Sequence, residues 1–376
     1  MTLLDCATCT ARGSCEPGFA TVAPAVYPNQ GKSRWEEELH GATPGALERE
    51  PLSMAEETLL RIPSSELQEA WFRPMGLSLQ VVSNSPAILA AAEASFRGYG
   101  AGQPNDTSHL TFRLFAHAVD DGKLNEPIFR TDGPLIYQTT GRDSTLVVDR
   151  ARACAYGCFS PTTLANPLYF RWHFLELALY VMLEWRGFLG VHAGALVRNG
   201  RSLLLRAPSG QGKSTLTYAG ARRQFQILAE EVVWLDIKRQ LWWGAPWTVR
   251  LLPDAKRLFP ELAAAEPALQ LNGEWKLAID LERVWPGSTT VSVRPGRVVL
   301  LRRCPGGKSG LEQLDFAEAK AEWLTGCAGL EHEAPHYDHH IETLLRAETY
   351  RLNLGDDIDV ALELLGSLCD REGSSP

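Results

Sequence analysis

Apolar positions are spaced differently in three stretches of the chain. Residues 1–65 mix Cys, Pro, Gly, Thr and Glu without a sustained period and carry a charge cluster, Arg34-Trp35-Glu36-Glu37-Glu38, so they read as an extended, partly disordered arm. From Gly76 the pattern becomes regular. Residues 77–82 alternate as a strand, Ser85-Pro86 opens a helix through 94, and strands are predicted at 109–119, 133–139 and 144–148. These make an α+β domain over 66–165. Pro167 then suits a first helical turn, and 168–185 is apolar nearly all round, as in a helix buried between layers. After Gly187 come strands at 188–197 and 202–205, a Gly-rich loop, a helix over 213–223 and a strand at 226–236 with an acidic middle. Further strands are expected at 249–252, 277–281 and 298–301, and an amphipathic helix at 357–368. Strand, Gly-rich loop, helix, strand is the alternation of a parallel-sheet nucleotide-binding unit, so 166–376 reads as an α/β domain.

Charge narrows the partners. Against 37 Lys and Arg stand 45 Asp and Glu, a net charge of −8. Nucleic acid and anionic membrane both call for a basic surface, so neither is expected. The apolar run 174–185 is broken by Glu176 and Glu184 and is shorter than the ~20 residues of a membrane span. Eight cysteines without regular spacing do not make a disulfide framework, and no secretory signal is visible, so a cytoplasmic protein is expected. A homo-oligomer is compatible with all of this.

The sharpest chemistry lies in Ala207-Pro208-Ser209-Gly210-Gln211-Gly212-Lys213-Ser214-Thr215. It fits the phosphate-binding loop pattern with Ala in place of the first Gly. Gly210 and Gly212 let backbone N–H groups turn toward phosphate oxygens, and the following helix directs its positive end there. Lys213 is placed to reach the β and γ phosphates and the Ser214 hydroxyl to ligate Mg²⁺, with Ser209 to Thr215 forming the nucleotide site. A chance match is expected in about 3 of 100 chains of this length, and the strand before and helix after lower that further. A second Gly307-Lys308-Ser309 is followed by Gly310, which weakens any helix start, and reads as a surface turn.

A phosphate site also needs carboxylates from a neighbouring strand. Glu230 and Glu231 lie 16 and 17 residues beyond Ser214, where the next parallel strand would return toward the loop. His192, alone in an apolar strand, suits a core histidine by spacing. Cys6, Cys9 and Cys15 lack a fourth ligand for zinc or an iron–sulfur cluster. His336, Asp338, His339, His340 and Glu342 read as a solvated loop after Pro335, and the tryptophans as core and interface anchors.

Taken in order, His192-Ala193-Gly194-Ala195-Leu196-Val197, Asn199-Gly200, Ser202-Leu203-Leu204-Leu205, Pro208 to Thr215 and Leu228-Ala229-Glu230-Glu231-Val232-Val233 resemble the HPr kinase/phosphorylase-like family. That family includes kinases of a carrier-protein serine and relatives associated with peptide-modifying gene sets. The resemblance is specific over 188–236 and weaker at Arg250-Leu251-Leu252-Pro253 and 276–281. It implies a P-loop kinase domain of the kind shared with phosphoenolpyruvate carboxykinase, ATP and Mg²⁺ as cofactors, and transfer of the γ-phosphoryl group to a serine-like hydroxyl of a peptide, protein or small molecule. It further implies that His192 sits beside the transferred phosphate with Lys213, and that Glu230 and Glu231 act as base and metal partner. By analogy Glu230 falls to the acceptor side and Glu231, with Ser214, to the metal. Family members carry paired aspartates there. A glutamate is one methylene longer, and a displacement of about 1 Å can cost on the order of a hundredfold in rate. A catalytically degenerate, nucleotide-dependent binding module is therefore the alternative to a kinase. A transporter-type ATPase ranks last, since no Leu-Ser-Gly-Gly-Gln-type signature is present.

Overall fold

The computed structural model describes residues 67–103, 109–141, 143–325 and 337–370. It has a mixed α/β fold with sheets of seven, six, four and three strands. The arm, with Cys6, Cys9 and Cys15, lies outside the described residues, as does His336. Among the described residues no helix is long and apolar enough to cross a membrane.

In the seven-stranded sheet, Ser78–Ser83, His109–Ala116 and Cys154–Phe159 run parallel, and Cys154–Phe159 continues into an antiparallel meander. Three of its strands leave little trace in the hydrophobic pattern. Gln68–Phe72 and Ile128–Asp132 are largely exposed edges without alternation. Cys154–Phe159 contains small residues, among them Gly157, where a Cβ would come within 2.5 Å of the Phe159 ring.

Helical turns from Pro167 to Trp185 pack against this sheet, and they include a π-helical segment at Arg171–Glu176. Phe170, Phe174, Leu177 and Leu179 share one buried cluster with Leu79, Val81 and Phe112, and with Phe188 and Trp234 beyond. Contact with layers on both sides is why the stretch is apolar all round. His173, its ring tilted against Tyr169 with centroids 4.5 Å apart, lies in the π-helical segment, and burial lowers its pKa from 6.5 to about 4. Between those values the unfolded chain binds the extra proton and the folded chain does not. The stabilisation is therefore complete above pH 6.5 and is lost as pH falls toward 4, by at most about 3 kcal/mol. Urea melts of wild type and His173→Phe across that range are expected to diverge as pH drops, with the variant less pH-dependent.

The six-stranded sheet has a parallel centre, with Arg201–Arg206, Arg297–Arg303 and Thr349–Leu354 side by side. Alternation along Arg201–Arg206 sends Leu203 and Leu205 to one face, against the helices Lys213–Arg222 and Ile358–Asp370. Leu204 points to the other, where Trp323 and Tyr337 of Phe316–Thr325 and Tyr337–Leu345 pack. Asp338, His339, His340 and Glu342 therefore sit on a helix and not in the expected loop, because Tyr337, Ile341, Leu344 and Leu345 give it a buried face. Lys308 and Ser309 form the link between Arg297–Arg303 and Gly310–Leu314, as read from the sequence.

One close approach depends on glycine. A Cβ at Gly244 would lie 1.9 Å from the Leu228 carbonyl oxygen. Gly244→Ala must push two backbones apart, and overpacking of this kind costs about 1–3 kcal/mol. A clear drop in melting temperature is expected by calorimetry.

Candidate active site

Two paired segments change sheets at the same place. Phe188–His192 pairs antiparallel with Val232–Asp236 in the four-stranded sheet, with Val232 opposite His192. One residue further on, Gly194–Arg198 pairs antiparallel with Gln226–Ala229 in the six-stranded sheet. Ala193 and Glu230-Glu231 are the joints, and the Ala193 N–H donates to the Glu231 carbonyl at 3.0 Å. The single strands expected at 188–197 and 226–236 are both interrupted here, since a chain that changes sheets must break its ladder. The acids thus return to the loop on antiparallel-paired strands, where a parallel neighbour was expected. Gly194 lets the corner close: a Cβ there would come within 2.8 Å of Thr217 Oγ1 on the facing helix.

Asn199 and Gly200, with φ of 54° and 73°, make the hairpin turn into Arg201–Arg206. That strand leads through 207–212 to the helix Lys213–Arg222. Gly210 and Gly212 have φ of 78° and 91°, a left-handed conformation that glycine adopts without cost. A Cβ at Gly212 would also meet Leu354 Cδ2 at 2.9 Å. Gln211 Oε1 accepts from the Arg303 N–H at 2.8 Å, which fastens the loop to the neighbouring parallel strand. Ser209 and Gly210 are exposed, while Gln211, Gly212, Ser214 and Thr215 are half-buried. The first helical N–H groups have no intrahelical partner, and with the helix dipole they favour an anion beside the loop.

Lys213 is 8% exposed, and its Nζ lies 2.5 Å from His192 Nε2. An ammonium only donates, so in this pair Lys213 is the donor and Nε2 the acceptor. His192 is therefore joined to the loop's lysine and is not a solitary core histidine. Ser214 Oγ donates to Glu230 Oε1. Glu230, 7% exposed, has its pKa raised above the ordinary carboxylate value, chiefly by burial and then by the charge of Glu231. The Ser214 hydrogen bond, Lys213 and Arg250 act in the opposite direction. Of the two glutamates, it is Glu230 that meets Ser214.

The two acids also line a cleft of about 150 Å³. Its remaining walls come from far along the chain: Tyr99 after the first helix, Arg171 and Trp172 in the π-helical segment, Trp234, and Arg250 on Thr248–Leu251. Sequence reasoning gave Arg250 a place in a strand and in the weaker part of the resemblance, but no role at the site. The signal was the alternation itself, since Val249 and Leu251 are buried in the core and Arg250 between them must face the other way.

The loop and the acids fit the groups the sequence implies. The left-handed glycines and the helix start suit phosphate oxygens, and a hydroxyl beside a carboxylate is the oxygen donor set that Mg²⁺ prefers.

No family model matches the chain, and no curated protein matches it. Among solved structures it is similar to an Hpr(Ser) kinase/phosphatase from Coxiella burnetii, with a TM-score of 0.26 and 13% sequence identity over 48% of this chain and 93% of that one. At that score the likeness is loose, and the functional reading rests on the geometry of the site.

Proposed function

We propose that the chain is a P-loop kinase that transfers the γ-phosphoryl group of ATP to a hydroxyl. The observation that carries this is the meeting of groups from three segments, His192, Lys213 with Ser214, and Glu230, in two hydrogen-bonded pairs at the start of the helix Lys213–Arg222. When bound, ATP supplies the phosphoryl group and Mg²⁺ neutralises its charge. Residues 209–215 would hold the phosphates through backbone N–H groups, and Ser214 with Glu230 would hold the metal. Lys213 would meet the phosphate oxygens, kept in place by His192. Both acids line the cleft, but Glu230 is engaged by Ser214, which leaves Glu231 as the base, so the roles of the two acids are exchanged relative to the family analogy. Glu231 takes the acceptor hydroxyl's proton as its oxygen bonds to phosphorus and ADP departs.

Substitution of the expected aspartates by Glu230 and Glu231 supports a second reading, a nucleotide-dependent binding module without turnover. Incubation with γ-labelled ATP, Mg²⁺ and candidate acceptors separates the two. Label transferred to an acceptor upholds the kinase; saturable binding with neither transfer nor phosphate release upholds the module.

A further inference from the structure

Among the described residues that line the cleft beside Glu231, one cation makes no hydrogen bond or ion pair. Arg171 is engaged: its Nε donates to Ser95 Oγ at 2.8 Å and its Nη2 to Glu176 Oε1 at 3.1 Å, while Ser95 Oγ donates to the same carboxylate at 2.9 Å. That triad is closed and neutral. Arg250 differs. Among the described residues its guanidinium makes no hydrogen bond or ion pair, and its carbon lies over the Trp172 ring, 6.0 Å from the centroid. It is half-buried, its charge is felt at both Glu230 and Tyr180, and Ala278, opposite it on the next strand, leaves space beside it. A half-buried guanidinium loses hydration, and a carboxylate meets it with two parallel hydrogen bonds.

The rest of the cleft restricts what can accompany that carboxylate. Aromatic rings form part of its walls, with Tyr99 edge-on to Trp247 at 4.9 Å and Tyr180 tilted on Trp234 at 5.0 Å, beside the carboxylates of Glu176, Glu230 and Glu231. Its volume of about 150 Å³ admits a short acyclic molecule. The π-helical segment, a feature that often marks functional sites, directs Arg171, Trp172 and Glu176 toward this space.

We propose that the cleft is the acceptor site, that the acceptor is a small hydroxy acid, and that Arg250 selects it by binding its carboxylate while its hydroxyl faces Glu231. This rests on the kinase reading for the identity of the hydroxyl's reaction, but the anion specificity is testable without turnover. Glycerate and serine, each paired with its amide, would be titrated against the full chain by tryptophan fluorescence and calorimetry, with and without a non-hydrolysable ATP analogue. Both acids are expected to bind saturably and their amides about tenfold or more weaker, the loss of one charged hydrogen-bonded contact. Arg250→Gln should abolish the preference for acid over amide, and Arg250→Lys should keep part of it. Circular dichroism and a titration of the ATP analogue report whether each variant is folded. Equal binding of acid and amide, or no binding of either while the ATP analogue binds, overturns the proposal and leaves the nucleotide site standing. Acid-selective binding lost in Arg250→Gln without any binding of the ATP analogue upholds the anion site and removes the kinase reading.

Discussion

Replacing Glu231 with Gln is expected to lower phosphoryl transfer by about 10²- to 10⁴-fold, the usual contribution of a positioned base. Glutamine keeps the size and polarity of the side chain, so packing at the corner of Ala193 and Glu230-Glu231 should be preserved and affinity for ATP nearly unchanged. Initial rates and nucleotide titrations on the same preparation check both halves. Glu230→Gln serves as the comparison. Because Glu230 holds Ser214, that variant should raise the Mg²⁺ concentration needed for half-maximal rate. If Glu231→Gln keeps full activity while Glu230→Gln loses it with an unaltered Mg²⁺ requirement, the two roles must be returned to the family order.

Lys213→Ala carries the second large effect. The ammonium is almost wholly buried and already desolvated, and it sits on His192 at the positive start of the helix. Removing a charged donor to phosphate costs about 1.5–3 kcal/mol, which weakens nucleotide binding roughly 10- to 150-fold. Lys213→Met retains the aliphatic stem and separates loss of charge from loss of packing. Both variants should bind ATP weakly and melt close to wild type, as judged by calorimetry. Wild-type affinity in Lys213→Met would mean that the lysine serves the corner of the fold and not the nucleotide.

The loop was legible because its residue types are dictated locally. Gly210 and Gly212 adopt backbone angles that other residues resist, and Lys213 and Ser214 must follow directly at the helix start. Glu230 and Glu231 were legible by distance along the chain, yet their route was not. The acidic pair interrupts the run 226–236 at the joint, but nothing in the apolar residues on either side shows that the two halves belong to different sheets, since both are buried. Periodicity found many of the buried strands, but it missed the exposed edges Gln68–Phe72 and Ile128–Asp132, where only weak alternation is required, and the buried Cys154–Phe159 and Thr349–Leu354. The helix at 337–345 was hidden by its polar residues, although Tyr337, Ile341, Leu344 and Leu345 recur at helical spacing. The cleft was invisible for a different reason. Tyr99, Arg171, Trp234 and Arg250 have no spacing in common and meet only through tertiary packing.

The most direct test of the nucleotide site is a crystal structure of the full chain grown with Mg²⁺ and a non-hydrolysable ATP analogue. Density for the β and γ phosphates against the backbone of residues 209–215, with the ion shared by Ser214 and Glu230, is the result expected. A nucleotide bound elsewhere, or saturating analogue that leaves residues 207–215 without phosphate contacts, would contradict it.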